Sequence, residues 1–315
     1  MFSSFFNYAR FETEKKETMV NVFVGLIVIV AMSFSAQSLA RDTSDQEEEF
    51  TSFPLRIPKK QEWSFSGPFG LYDKAQLKRG LKVYKQVCSS CHGLKYVAFR
   101  NLKALGYDQE QIKALAGQYE VRDGPNREGK FFKRAGVATD YFPSPFAHEE
   151  EARFILNSAY PPDLSLMARA RGVSLPFPAL ITDVLSHYDT AGPDYITALL
   201  TGYQKAPENM KIAEGYWYNP YFIAGNSLTM APPLSDGMVA YEDGTPEIIE
   251  HYARDVSAFL MWAADPHMEI RKKTGFRVIL FLIVFAGLVY ILKNRIWCGL
   301  EEELEKETKD EIKRK

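Results

Sequence analysis

"VCSSCHG" (87–93) sets two cysteines three positions apart, with a histidine directly after the second. The 315-residue chain holds only three cysteines and five histidines, so three of them within five positions form a concentrated set of soft and nitrogen donors. A structural zinc site needs four ligands and hence a second cysteine or histidine pair. The remaining cysteine, Cys298, stands alone after a long apolar run. A thioredoxin-type redox pair needs a βαβ setting, of which the flanking sequence gives no sign. The third chemistry is covalent attachment of a c-type haem, in which each thiol adds to one vinyl group and the adjacent histidine comes to lie under the iron. The spacing therefore predicts one haem c attached through Cys88 and Cys91, with His92 as proximal iron ligand. The competing reading is a solvent loop with incidental cysteines.

Outward from the motif, Leu77, Leu81, Tyr84 and Cys88 recur at helical spacing behind Asp73, a candidate N-cap. The motif is thus expected at the C-terminal end of a helix, with Gly93 as its stop. Gly80 on that helix either admits a close approach by a second helix or is an ordinary tolerated glycine. Helices are also expected over 107–121, over 150–171 with a break at Pro161–Pro162, over 194–203, and over 245–266 with Thr245 as cap. The stretches 122–130, 141–150 and 215–237 are rich in glycine, proline and aromatic residues and read as loops. Strand signals are sparse. The expected class is mainly α with long loops and insertions.

Composition is that of a globular protein, 46% hydrophobic and 25% charged, and the net charge of −2 speaks against a nucleic-acid partner. "VFVGLIVIVAMSF" (22–34), preceded by Lys15 and Lys16 and followed by "SLA" ending at Ala40, has the length and flanks of an export signal. Glu12, Glu14 and Glu17 argue against a mitochondrial transit peptide, which is acid-poor. The alternative is a retained N-terminal anchor. "FRVILFLIVFAGLVYILKNRIW" (276–297) is free of charge from Val278 to Leu292 and, at 1.5 Å per residue, spans about 30 Å, the hydrocarbon thickness of a membrane. The expected organisation is an export signal over 1–40, an extended arm over 41–70, a periplasmic haem domain over 71–270, a transmembrane helix over 276–297 and a short cytoplasmic tail over 298–315. That places the protein in a bacterial inner membrane, with membrane lipid around its anchor.

Iron held by one histidine needs a second axial ligand for fast electron transfer, whereas an open position favours small-molecule chemistry. The downstream candidates are Met167, Met210, Met230, Met238, Met261 and Met268, with His148, His187, His251 and His267. Met230 lies in "SLTMAPPL", a loop stiffened by Pro232 and Pro233 that could press a thioether onto iron at low entropic cost. Taken alone, a core methionine remains the default there.

"RGLKVYKQVCSSCHGLKYVAFRNL" (79–102), "DGPN" (123–126), "DYFPSPF" (140–146), "AYPPDLSLMARAR" (159–171), "LLTGY" (199–203), "YNPYF" (218–222), "MAPPL" (230–234), "YEDGTPE" (241–247) and "DVSAFLMWAADP" (255–266) occur in this order before the single apolar run. Together they resemble the cytochrome c1 family, the haem subunits of quinol–cytochrome c reductase (cytochrome bc1) complexes. The resemblance covers about 60–297. It implies haem c on Cys88 and Cys91, with His92 and Met230 as axial ligands, and no catalytic quinol site of its own. It also implies that Arg171, the second arginine of "RAR", and Tyr195 contact a haem propionate. Residues 172–194 form an insertion that shorter members lack, which bears on the assignment of Tyr195. The implied partners are a cytochrome b, a Rieske iron–sulfur subunit and a soluble or membrane-held cytochrome c as electron acceptor. The alternative of another class is a membrane-anchored haem enzyme such as a peroxidase.

Overall fold

A computed structural model describes residues 55–172 and 190–314; the expected export signal, most of the 172–194 insertion and His187 lie outside the described residues. The fold is mainly helical, as expected, and its core is a crossing of two helices. Helix α1 (Lys74–Gln86) starts where the sequence places it, with the Asp73 carboxylate accepting the Ala75 amide at 2.9 Å. It buries Leu77, Gly80, Leu81, Val83 and Tyr84. The 3₁₀ helix Phe99–Leu105 and α2 (Gln109–Ala116) follow, then a hairpin of β1 (Glu120–Asp123) and β2 (Phe132–Ala135). Short helices α3 (Glu149–Ile155) and α4 (Met167–Ala170) lead to α5 (Ala191–Thr201), the two-residue pair β3 (Trp217–Tyr218) and β4 (Ser227–Leu228), α6 (Ile249–Ala264) and α7 (Met268–Arg314).

Helix α6 is buried along most of its length, from Tyr252 to Ala263 with only Arg254 partly exposed, although its first turn is polar. Helix α1 crosses it at Gly80, where a Cβ would meet the Asp255 carbonyl oxygen at 2.0 Å and Phe259 Cβ at 2.6 Å. Gly80 is therefore the close-approach glycine. The buried Asp255 carboxylate pairs across the same crossing with Arg79, whose Nε lies 2.7 Å away, and Asp243 takes the other end of the guanidinium at 2.7 Å. Helix α5 packs on α6 through a Thr197–Ser257 hydroxyl bond of 2.9 Å. An aromatic cluster of Tyr84, Phe99, Tyr119, Phe142, Phe259 and Trp262 fills the space beside the crossing.

Three local expectations change. Helix α6 begins at Ile249 and not at Thr245, because Glu247 is drawn away by Gly237 and Tyr241, whose amides it accepts at 2.8 Å each. The cap then comes from a distant loop, with Asp236 accepting the Ile249 amide at 2.8 Å. Helix α1 ends at Gln86, with Val87 as its C-cap six residues before Gly93. The segment 107–121 is helical only over α2, and its end enters the hairpin, which Arg134 holds by pairing with Asp123 and Asp140. Among the described residues of the expected arm, Trp63 and Phe65 belong to the core of the domain. Trp63 Nε1 donates to the buried Asp194 at 2.7 Å.

The apolar run forms part of the continuous helix α7, and its most apolar 18-residue window, within Met268–Trp297, has no residue buried in the protein. Among the described residues it is the one helix long and apolar enough to cross a membrane, and it forms a transmembrane anchor. The Gly80 contact makes a direct test: Gly80→Ala forces a backbone shift at the crossing and is expected to cost about 2–3 kcal/mol. Thermal melting followed by circular dichroism should register a fall of roughly 5–10 °C. A melting point within a degree of the parent would mean that the crossing relaxes freely.

Candidate haem-binding site

The motif occupies a 3₁₀ turn, Cys88–Ser90, that follows α1 directly. The amides of Cys91 and His92 both donate to the Cys88 carbonyl, at 3.1 and 2.9 Å. The two intervening serines close the end of α1, Ser89 Oγ donating to the Lys85 carbonyl at 2.8 Å and Ser90 Oγ to Val87 at 2.9 Å. A helix C-terminus leaves carbonyls without intrahelical partners, and these hydroxyls satisfy two of them. Cys88 and Cys91 are both free thiols and partly buried. Burial, with Cys91 beside it, pushes the Cys88 thiol up to about 12.

His92 is oriented from a segment seventy residues away. Its Nδ1 lies 2.8 Å from the Pro162 carbonyl oxygen. A carbonyl only accepts, so Nδ1 carries the proton and the lone pair is left on Nε2. Burial lowers the pKa of the ring, which favours this neutral form. The Pro162 carbonyl is held in place by a zipper between the two segments. Leu164 donates its amide to the Gly93 carbonyl at 2.9 Å, Lys95 and Ser165 donate theirs to Asp163 at 2.9 and 3.0 Å, and Tyr96 donates to the buried Ser165 hydroxyl at 3.0 Å. A Cβ on Gly93 would stand 3.0 Å from Asp163 Oδ2, so this glycine serves the zipper and not the helix end. Tyr84 of α1 donates to the His92 carbonyl at 3.1 Å.

Met230 lies after β4, partly buried, with Tyr203 Oη donating to its backbone carbonyl at 3.0 Å. Tyr195 is buried on α5, and burial raises its pKa while a backbone hydrogen bond from Ile223 and the nearby Arg171 charge oppose that rise. Tyr203 in turn feels Tyr195. Arg171, Tyr195, Tyr203 and the Met230 backbone thus form one neighbourhood, and His92 belongs to the zipper. Other candidate ligands have visible employment. Met261 and Met268 are fully buried in the core, the Met210 sulfur takes Asn226 at 3.1 Å, and His148 caps α3 by accepting the Glu151 amide at 3.1 Å. Met238 is surface-exposed. Sequence reasoning passed over Pro162 and Tyr203, although both lie in quoted motifs. The role of Pro162 is played by a carbonyl, which every residue has.

Two thiols on one tight turn and an imidazole locked in the tautomer that frees Nε2 fit the demands of haem c. Among the described residues no group of three or more His, Cys, Asp or Glu side chains could hold a bare metal ion. With the C-terminal anchor, fold and site describe a membrane-tethered c-type cytochrome domain. Residues 63–300 match the Cytochrome C1 family, and the chain belongs to that family. It is 51% identical over 244 residues to the "Cytochrome b/c1" of Bradyrhizobium diazoefficiens, covering 76% of this chain but only 35% of that relative's length. It is 46% identical over 251 residues to the cytochrome c1 of Blastochloris viridis, covering 78% of this chain and 89% of the relative. A mitochondrial cytochrome c1 heme protein of Arabidopsis thaliana is 40% identical over 279 residues, 88% of this chain and 81% of its own. Membership brings haem c as the cofactor class and electron transport in a respiratory chain as the general role.

The zipper predicts its own weak point. Asp163→Ala leaves the Lys95 and Ser165 amides without their acceptor and should cost about 2 kcal/mol. The melting point should drop by roughly 4–8 °C, whereas Asp108→Ala, the loss of an exposed cap, should cost about half as much. Equal losses in the two variants would remove the special role given to the zipper.

Proposed function

We propose that the chain is the haem-carrying subunit of a quinol–cytochrome c reductase, conveying electrons from a Rieske iron–sulfur subunit to a soluble or membrane-held c-type cytochrome. The observation that carries this reading is the His92–Pro162 hydrogen bond, which fixes the imidazole with Nε2 free beside the two thiols. In this reading Cys88 and Cys91 form the two thioethers, His92 and Met230 are the axial ligands, and Arg171 and Tyr195 bind a propionate. Bound there, haem c supplies a one-electron iron couple. The chain contributes orientation of the imidazole by Pro162, a hydrogen bond from Tyr203 that holds the Met230 loop, and an apolar core against which Cys88 packs. A thioether is a soft donor that favours ferrous iron, so a methionine ligand raises the potential. A propionate needs a charge-assisted donor, which Arg171 provides.

The subunit has no quinol chemistry of its own. That step belongs to a cytochrome b partner, a reading supported by the Bradyrhizobium relative, whose name joins b to c1 and of which this chain matches about a third. The haem domain, 71–270, faces the periplasm of a bacterial inner membrane, behind a cleaved signal over 1–40 and an arm over 41–70. The helix over 276–297 carries it, and 298–315 is the cytoplasmic tail.

The test is a redox-difference spectrum and titration of the membrane complex, with haem staining of the separated subunits. Met230→Leu keeps volume and apolarity, so the subunit should still fold and stain for haem. Its potential should fall by on the order of a few hundred mV, within the roughly 0.8 V that axial ligation spans, and it should gain carbon monoxide binding. Met238→Leu should behave as the parent. An unchanged spectrum in Met230→Leu would return Met230 to a packing role, and carbon monoxide binding by the parent would favour a peroxidase-like enzyme. A second prediction concerns attachment. Cys88→Ser with Cys91→Ser should abolish covalent haem staining, and full staining of that double variant would sink the assignment.

A further inference from the structure

The loop 64–71, "SFSGPFGL", is a rigid projection at the point where the haem domain meets its membrane anchor. Its base is fixed in the core by Phe65, which is fully buried, and by Trp63. The Leu71 amide donates to the Ser64 carbonyl at 3.0 Å and Ser66 to Trp63 at 3.1 Å, so the loop closes on itself. Only glycine fits at 70, where a Cβ would stand 2.2 Å from the Ser66 carbonyl oxygen. This frame pushes two large apolar side chains outward: Phe69 is 72% exposed and Leu71 51% exposed. Outward-facing apolar residues held by such a frame are unusual on a surface bathed only in water.

They are not scattered. Phe69 meets Phe276, the first aromatic residue of the apolar run, edge-on with ring centroids 5.6 Å apart. Between the loop and the start of α7 lies a cleft of about 280 Å³, lined by residues 68–71 and by Glu269, Lys272, Lys273, Phe276 and Arg277. Residues 269, 272, 273 and 276 share one face of α7 by helical spacing. Three cations therefore face one carboxylate. Lys272 Nζ is spent on the loop, donating to the Phe65 carbonyl at 2.6 Å, and Glu269 accepts the Tyr72 amide at 2.9 Å. Among the described residues Lys273 and Arg277 have no such partner and stand exposed.

An apolar wedge level with the first turns of a transmembrane helix, under two uncommitted cations, is the chemistry of a lipid interface. We propose that this cleft binds the headgroup of an anionic phospholipid in the leaflet on the haem-domain side. Lys273 and Arg277 take the phosphate, and Phe69, Leu71 and Phe276 lie along the upper acyl chain. The loop is then a second membrane contact, which together with α7 sets the height and tilt of the haem domain. Free phosphate would engage the cations but would leave the exposed aromatic pair without a partner.

The test uses the full chain, haem-loaded, reconstituted in vesicles of phosphatidylcholine and phosphatidylglycerol, then extracted in mild detergent. The phosphatidylglycerol retained per protein is counted by mass spectrometry. The parent should retain it in excess over the bulk ratio. Lys273→Glu combined with Arg277→Glu should reduce retention about tenfold or more, since each surface cation contributes a several-fold factor. Lys103→Glu with Lys113→Glu, an equal charge change on the surface of the haem domain, should leave it unchanged. Phe69→Ser, which alters no charge, should lower retention several-fold, and excess inorganic phosphate should not displace the lipid. An unaltered haem spectrum in each variant reports intact folding. Equal retention by the parent and the Lys273/Arg277 variant would overturn the site. So would loss of a protein subunit from the complex of that variant with its lipid content unchanged, because the cleft would then be a protein contact.

Discussion

The close crossing of α1 over α6 is the constraint from which the rest follows. Two helices come this near only where a side chain is missing, and Gly80 admits the Asp255 carbonyl to a position that any Cβ would occupy. Nearness then brings the buried Asp255 carboxylate to Arg79 at 2.7 Å. Breaking one partner of such a pair leaves a charge unsolvated in the core, so the pair penalises misalignment more than it adds net stability. The register of α1 is set in this way, and the cysteine motif is attached to the end of α1 by a turn with no slack.

A second constraint acts on the motif from the other side. The zipper between 93–96 and 162–165 uses backbone groups and two short side chains, Asp163 and Ser165, so its geometry is stiff and its reach short. It carries the Pro162 carbonyl to His92 and thereby selects the tautomer. The imidazole is thus oriented by a segment that shares no helix with it. The same logic holds at the membrane end, where Lys272 of the first turns of α7 donates to the Phe65 carbonyl and ties α7 to the arm.

Much of this was legible in the sequence. The helical spacing of Leu77, Leu81 and Tyr84, the Asp73 cap and the apolar run all lie where they were expected, whereas the expected helices over 150–171 shrink to α3, which ends at Ile155, and α4, which begins only at Met167. The role of Gly93 was misjudged, because a glycine after a helical pattern resembles a stop, while its actual neighbour, Asp163, is seventy positions away. The β1–β2 hairpin escaped because its strands are only four residues long and have no fully buried face, so they carry too little apolar alternation to detect. Helix α6 starts late for a reason equally invisible locally, since Glu247 is engaged by Gly237 and Tyr241.

The sequence by itself determined what depends on near neighbours: which faces of the helices are apolar, which segment is long and apolar enough to cross a membrane, and which thiols and imidazole stand together. Those properties are carried by side-chain type and spacing over a few turns. Tertiary structure alone decided which nitrogen of His92 keeps its proton, which carboxylate caps α6, why Gly80 must lack a side chain, and that Gly93 lies against Asp163. The reason is physical. These contacts are made largely by backbone carbonyls and amides, which every residue offers alike, so only the path of the chain selects which of them meet.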